Sequence, residues 1–324
     1  MLIRSGHREN YGDGRSNARI LEYKGVDPGM ERKTVDIGET TLSILDAGSG
    51  SPLVFVHGAV TTSELFRDVL DYYAPRYRAI AVDLRGYGDS AKPGHGYNID
   101  QFAKDLTRLF DELDLPRAVL LGVSMGGWTT QRFALDSGER LNGVVLASTS
   151  NGELTEELLD NDPREKVRNL GWRKVSEGLI TGAFPSDADP AIVNALLSRI
   201  ETWNEQVVTE VLDSIMAFDI SRELSGLKTP TLIMVGSEDH QLPVSLSENM
   251  HGAIPDSRLE VFQGSGHFMM LEDPTRFIVS STASSQRSDI EEGVVDLAAP
   301  EQPAGFPSAG LGLWNAANGG HYMT

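Results

Sequence analysis

Ser124 stands in Gly122-Val-Ser124-Met-Gly126, a G-x-S-x-G spacing. The apolar run Ala118 to Leu121 precedes it and helix-like residues follow, so the motif falls at a strand-to-helix turn. A turn this tight strains the serine backbone, and side chains at the flanking positions would strike neighbouring elements, which glycine avoids. It would present the serine oxygen at the carboxyl end of a strand. The N–H of Met125, at the helix start, would point at any oxyanion formed there. On the motif alone, a Gly-rich turn that merely packs tightly explains the pattern equally well. A dinucleotide site does not, because Ser124 occupies the place of the second glycine in G-x-G-x-x-G.

A serine hydroxyl is a poor nucleophile until a base takes its proton. Of the seven histidines, His267 is the candidate. It follows the strand-like run LEVFQ inside GSGHF, a turn that sets it at the carboxyl edge of a sheet. His57 also ends a strand-like run, but its HG pair precedes the serine and fits an oxyanion loop. His7, His95, His251 and His321 have no such placement, and His240 adjoins the candidate acid. That acid must orient the imidazole and stabilise its charged form. Asp239, in GSEDHQLP after the strand-like TLIMV, is so placed, with Glu238 its near competitor.

These side chains meet only if one sheet carries them to a common edge. KTVDI and TLSIL flank GET as a hairpin, and LVFVHG is a continuous apolar run of the kind buried on both faces. Strand-like RAIAVDL, RAVLLGV and LNGVVLAST then alternate with helical patterns over 63–74, 99–113 and 126–136, with Asn98 or Asp100 as a cap for the second. Such alternation predicts βαβ units in a mostly parallel sheet covered on both faces. From about 150 to 225 only helix-like segments occur, near 153–160, 163–180, 189–203 and 205–218, before TPTLIMVGSED and RLEVFQGSGH restore the strand texture. The expected organisation is a loose N-terminal extension over 1–32 and a core formed by 33–149 and 226–280. A helical cap over 150–225 and a disordered or weakly structured tail over 281–324, with a short helix near 288–298, complete it. After LEDPTRF, the residues IVSSTASSQRSD lose their apolar face within a few positions.

The 324 residues carry a formal charge of −19, which argues against nucleic acid and anionic membrane surfaces as partners. With no cysteine, disulfides, Cys-ligated zinc and thiol nucleophiles are excluded. The first residues, MLIRSGHRENYGDGRS, lack the apolar stretch of a secretory signal, and no run is long enough to span a bilayer, so a cytoplasmic protein is expected. Oligomeric state is not readable.

FVHGAV, DLRGYGDS, GVSMGG, GSEDHQLP and GSGHF occur in that order over roughly residues 33–280. Through them the chain resembles the α/β-hydrolase superfamily, in its serine-nucleophile branch. The resemblance implies an α/β fold with a mostly parallel central sheet, helices on both faces and a helical cap inserted between strands. It implies Ser124 as nucleophile, His267 as base and Asp239 as acid, in the family's chain order. The second oxyanion N–H would come from Ala59, with Val60 as the alternative, alongside Met125. Val60, Trp128 and Phe268 are candidate pocket residues, Trp128 being equally readable as helix core. Asp83, Arg85 and Asp89 are read as structural. GVSMGG is similar to the motif of enol-lactonases, esterases and cofactor-free haloperoxidases or perhydrolases, and hydrolases of C–C bonds share the same triad. Ser124 argues against the branches that use aspartate at this turn. The expectation is hydrolysis of a small, largely apolar ester or lactone without metal or organic cofactor. Same-triad C–C hydrolysis or perhydrolysis stands second, and a non-catalytic ligand receptor on this fold third.

Overall fold

The computed structural model describes residues 29–153, 160, 162–200 and 203–283. Residues 1–28, most of the helix expected near 153–160, and the chain from 284 onward, with its expected helix near 288–298, lie outside the described residues, as do His7 and His321.

Eight strands form one sheet: β1 Glu31–Asp36, β2 Thr41–Gly48, β3 Pro52–Val56, β4 Arg78–Asp83, β5 Ala118–Val123, β6 Leu141–Ala147, β7 Thr231–Gly236 and β8 Ser257–Phe262. Their spatial order is β1-β2-β4-β3-β5-β6-β7-β8. β1 pairs antiparallel with β2 and β2 antiparallel with β4, and every later pairing is parallel. β3, β4 and β7 are buried almost continuously. Both faces of these strands are therefore covered, which is why their sequences are unbroken apolar runs rather than alternating ones. From β3 the chain steps to β4 on one side and then to β5 on the other. Strand order thus reverses between β3 and β5, and in open α/β sheets the crevice at the carboxyl ends of such a pair is where ligands bind.

Three helices lie between the early strands: α1 Arg67–Tyr73, α2 Ile99–Glu112 and α3 Met125–Ser137. Asn98 caps α2, its Oδ1 accepting from Gln101 N–H at 2.9 Å, and Phe102, Leu106, Leu109 and Phe110 fill the buried face. Between β6 and β7 the described elements are helical: α4 Pro163–Leu170, α5 Trp172–Thr181, α6 Pro190–Leu197 and α7 Glu205–Ala217, with a short 3-10 turn at Leu224–Gly226. The pattern read as one helix over 163–180 is two, because Gly171 takes φ 83°, a value that stops α4 and restarts the chain as α5.

α8 Val244–Ala253, α9 Met269–Glu272 and α10 Pro274–Ala283 complete the described fold. α10 runs into the stretch where the apolar pattern fails. It docks through Phe277 and Ile278 and then through serine: the Ser281 and Tyr73 hydroxyls lie 2.7 Å apart, and Ser280 Oγ donates to Glu260 at 2.6 Å. Hydrogen bonds replace the missing apolar face. No helix among the described residues is long and apolar enough to cross a membrane.

Candidate active site

Ser124 joins β5 to α3 with φ 54° and ψ −119°, a conformation rare for a residue with a Cβ. Its own N–H donates to Ala147 C=O at 3.0 Å, and its C=O accepts from Gly127 N–H and Thr149 Oγ1. These bonds over-determine the strained turn. A methyl on Gly122 would come within 2.1 Å of Gly126 C=O, and one on Gly126 within 2.2 Å of Val56 C=O. Both glycines are required by backbone-to-backbone approach of α3 to β5 and β3, the packing that leaves Ser124 half-exposed on the strand end.

The loop after β3 runs beside this serine: a Cβ on Gly58 would lie 3.3 Å from Ser124 Cβ. His57 is fully buried, its Nε2 accepting from Leu84 N–H at 3.1 Å, so Nδ1 carries the proton and donates to Gly58 C=O at 2.8 Å. Burial holds this imidazole below its ordinary pKa, against the opposing Asp83 charge and Gly58 bond, which suits a neutral ring with that tautomer. Gly58 C=O also accepts from Thr61 N–H and Oγ1. In a trans peptide the N–H opposes the C=O, so the Ala59 N–H points away from this cluster. Met125 is the first residue of α3, and its N–H has no acceptor within the helix.

Asp239 and His267 emerge after β7 and β8. Ser237 N–H donates to Phe262 C=O and Glu238 N–H to Ser265 C=O, which sews the two loops together. His267 Nδ1 then lies 2.8 Å from Asp239 Oδ2, with both residues at most 3% exposed. Asp239 Oδ1 accepts from the Gln241 and Leu242 amides at 3.0 and 2.9 Å. Burial alone would push this carboxyl up. The His267 charge and hydrogen bond, the Leu242 amide and Ser148 outweigh it and hold Asp239 below the usual carboxylate range. Glu238 and His240, its sequence neighbours, are exposed, which separates them from the pair. No hydrogen bond joins Ser124 Oγ to the His267 ring among the described residues; the close contact is between His267 and Asp239.

Several contributors were not readable from the sequence. Ser148, at the end of β6, takes φ 45°; its buried hydroxyl meets no ideal hydrogen-bond geometry, yet faces Asp239 closely enough to favour the carboxylate. Gln241 Nε2 donates to Leu179 C=O at 2.6 Å, tying α5 to the Asp239 loop. Of the pocket candidates, Val60 is half-exposed. Phe268 is buried with its ring 5.2 Å from that of His267. Trp128 is buried, its Nε1 donating to Ser150 Oγ at 3.3 Å and its ring 6.3 Å from Phe218. Asp83 accepts from the Ser63 and Asp89 amides, and Arg85 pairs twice with buried Asp105 at 2.5 Å. A separate open groove of about 590 Å³, lined in part by Asp100, Glu210 and Asp219, contains none of the three candidate residues.

Fold and motif order define the class: the chain belongs to the α/β hydrolase fold family, whose model matches residues 51–274. Among curated relatives it is 28% identical over 228 residues to 3-oxoadipate enol-lactonase 2 of Acinetobacter baylyi, covering 69% of this chain and 85% of that one. It is 29% identical over 243 residues to the non-heme chloroperoxidase CPO-A1 of Kitasatospora aureofaciens, covering 68% and 86%. A solved esterase from Exiguobacterium antarcticum superposes with TM-score 0.72 at 26% identity, over 79% of this chain and 98% of that one.

Proposed function

We propose that this hydrolase opens a carboxylic ester or lactone of a small, largely apolar molecule through an acyl-enzyme. Ser124 Oγ attacks the carbonyl while His267 Nε2 accepts its proton, and Asp239 holds the imidazole by Nδ1 and stabilises its charged form. The Met125 and Ala59 amides receive the oxyanion. Such donors each supply roughly 3–4 kcal/mol of barrier reduction. His267 then protonates the leaving alkoxide, and afterwards takes a proton from the water that releases the acid and restores Ser124. The helical residues 150–225 act as a cap over the strand ends, with 33–149 and 226–280 as the core. Val60 and Phe268 line the acyl pocket beside the triad. A chain without cysteine fits a reducing, cytoplasmic setting.

The observation that carries this reading is the buried His267–Asp239 contact of 2.8 Å at the same sheet edge as the strained Ser124 turn. Relatives named as enol-lactonase and esterase support the acyl chemistry. The relative named as a chloroperoxidase favours a second use of the same acyl-enzyme, with hydrogen peroxide in place of water and a peracid as product. A fluorophosphonate should label Ser124, and Ser124→Ala should lose both the label and ester turnover. Turnover surviving in Ser124→Ala would sink the proposal. Rates on short and long acyl esters, lactones and a vinylogous 1,5-diketone, with and without peroxide, then select the substrate class.

A further inference from the structure

Glu272, the last residue of α9, turns its carboxylate back onto the loop that carries His267. Oε2 accepts from Gly266 N–H at 2.7 Å and Oε1 from Phe268 N–H at 3.1 Å. The amide between them, His267 N–H, donates to Ala183 C=O at 2.8 Å, on the segment that leaves α5. Three consecutive amides are thus held, two by one carboxylate and the middle one by a carbonyl of another segment. The dihedrals that aim the His267 Cα–Cβ bond lie between these anchors, so the imidazole inherits its position from them as well as from Asp239.

We propose that Glu272 is a positioning residue for His267: its ionised carboxylate fixes the backbone from which the imidazole projects, and protonation loosens one of the two amides. The proposal rests on the reading of Ser124, Asp239 and His267 as a triad. Protonation turns one oxygen into an O–H, a far weaker acceptor than a carboxylate oxygen, so the full two-pronged grip belongs to the charged form. Glu272 is well placed to change state. Burial first, and then the Asp239 charge, raise its carboxyl to about 7 net of the opposing Gly266 and Phe268 amides and the His267 charge. His267, from the loop after β8, and Asp239, from the loop after β7, are the titratable groups that face it; Ala183 presents a backbone carbonyl. The grip is therefore complete on the alkaline side of neutrality and weakened on the acid side.

Glu272→Gln imitates the neutral state, since its carboxamide accepts from one amide and opposes the other with N–H. The test is the rate at which a fluorophosphonate labels Ser124 in the full chain from pH 5.5 to 8.5. Glu272→Gln should label about tenfold more slowly than the unmodified protein at pH 8.5, the loss expected from a small misplacement of a catalytic group. The two rates should converge to within twofold at pH 5.5, where both side chains are neutral. A ratio constant across the range, including a ratio of one, overturns the proposal. If Glu272→Gln does not fold, the Gly266 and Phe268 amide protons are followed by NMR in His267→Gln, where no imidazole titrates at that position. They should shift together with a midpoint no lower than the parent's value of about 7, because the His267 charge that opposes the rise is absent, and their failure to titrate between pH 5 and 9 overturns the proposal. Ser124→Ala distinguishes the two readings. Turnover retained there removes the triad itself, whereas Ser124-dependent labelling with a flat Glu272→Gln ratio removes only the role of Glu272.

Discussion

Ser124, Asp239 and His267 could be picked out from the sequence as candidates because each follows a recognisable strand in a turn of small or polar residues. Glu272 and Ser148 could not. Nothing in LEDPTRF says that its glutamate folds back onto the amides of GSGHF, and a serine ending an apolar strand carries no local signal. Two predictions belong at this scale. Asp239→Asn should slow Ser124 labelling by roughly 10⁴-fold at pH 8, because the amide favours the wrong imidazole tautomer and cannot stabilise the imidazolium. The second concerns stability. The Asp239 carboxyl is held below its ordinary value of 3.8, so on acidification the unfolded chain takes up this proton first. Its charge therefore contributes stability that is complete above about pH 4 and lost as pH falls through the lower folded value. Urea midpoints of the unmodified protein and Asp239→Asn should lie closest at the acid end of the range and separate as pH rises through the ordinary value of 3.8. A separation that shrinks as pH rises would contradict the placement of this charge.

Elements were legible where their period was strong. The apolar runs over 53–56, 78–83, 118–123 and 231–236 are strands, and the stripe from Ile99 to Phe110 is a helix capped by Asn98. α8 was not anticipated, because only Leu246 and Met250 among its apolar residues are buried and VSLSENMHGA has little helical stripe. The break at Gly171 was missed because glycine within a periodic run signals its φ only weakly. Gly126→Ala should destabilise by at least about 1–3 kcal/mol, since its Cβ would meet backbone of β3 at 2.2 Å and backbone cannot swing aside. Gly178→Ala is the opposite case. It lies exposed within α5 with nothing within 4 Å of a Cβ, so it should stabilise by about 0.5–1 kcal/mol. Thermal midpoints of the two variants should move in opposite directions.

Across the whole molecule, Arg85 and Asp105 tie the loop after β4 to α2 as a pair at most 1% exposed. Arg85→Met leaves Asp105 buried with Gln101 Nε2 as its remaining partner, and should cost about 3–5 kcal/mol in urea denaturation. The labelling rate of Ser124 in the folded fraction should be unchanged, because the pair does not touch the candidate triad. A variant as stable as the parent would show that the pair holds nothing. The resemblance carried by DLRGYGDS implied a structural Arg85; it could not show that Asp105, twenty positions on, was the partner. The same division runs through the protein. Local pattern determined strands, helices, their alternation and the turn chemistry around Ser124, because these depend on neighbours within a few residues. The burial of Asp239 against His267 while Glu238 stays exposed, the neutral tautomer of His57, the serine-bonded docking of α10 and the carboxylate beneath His267 were decided only by tertiary structure. Each depends on burial and on contacts between residues distant in the chain, which no short window of sequence contains.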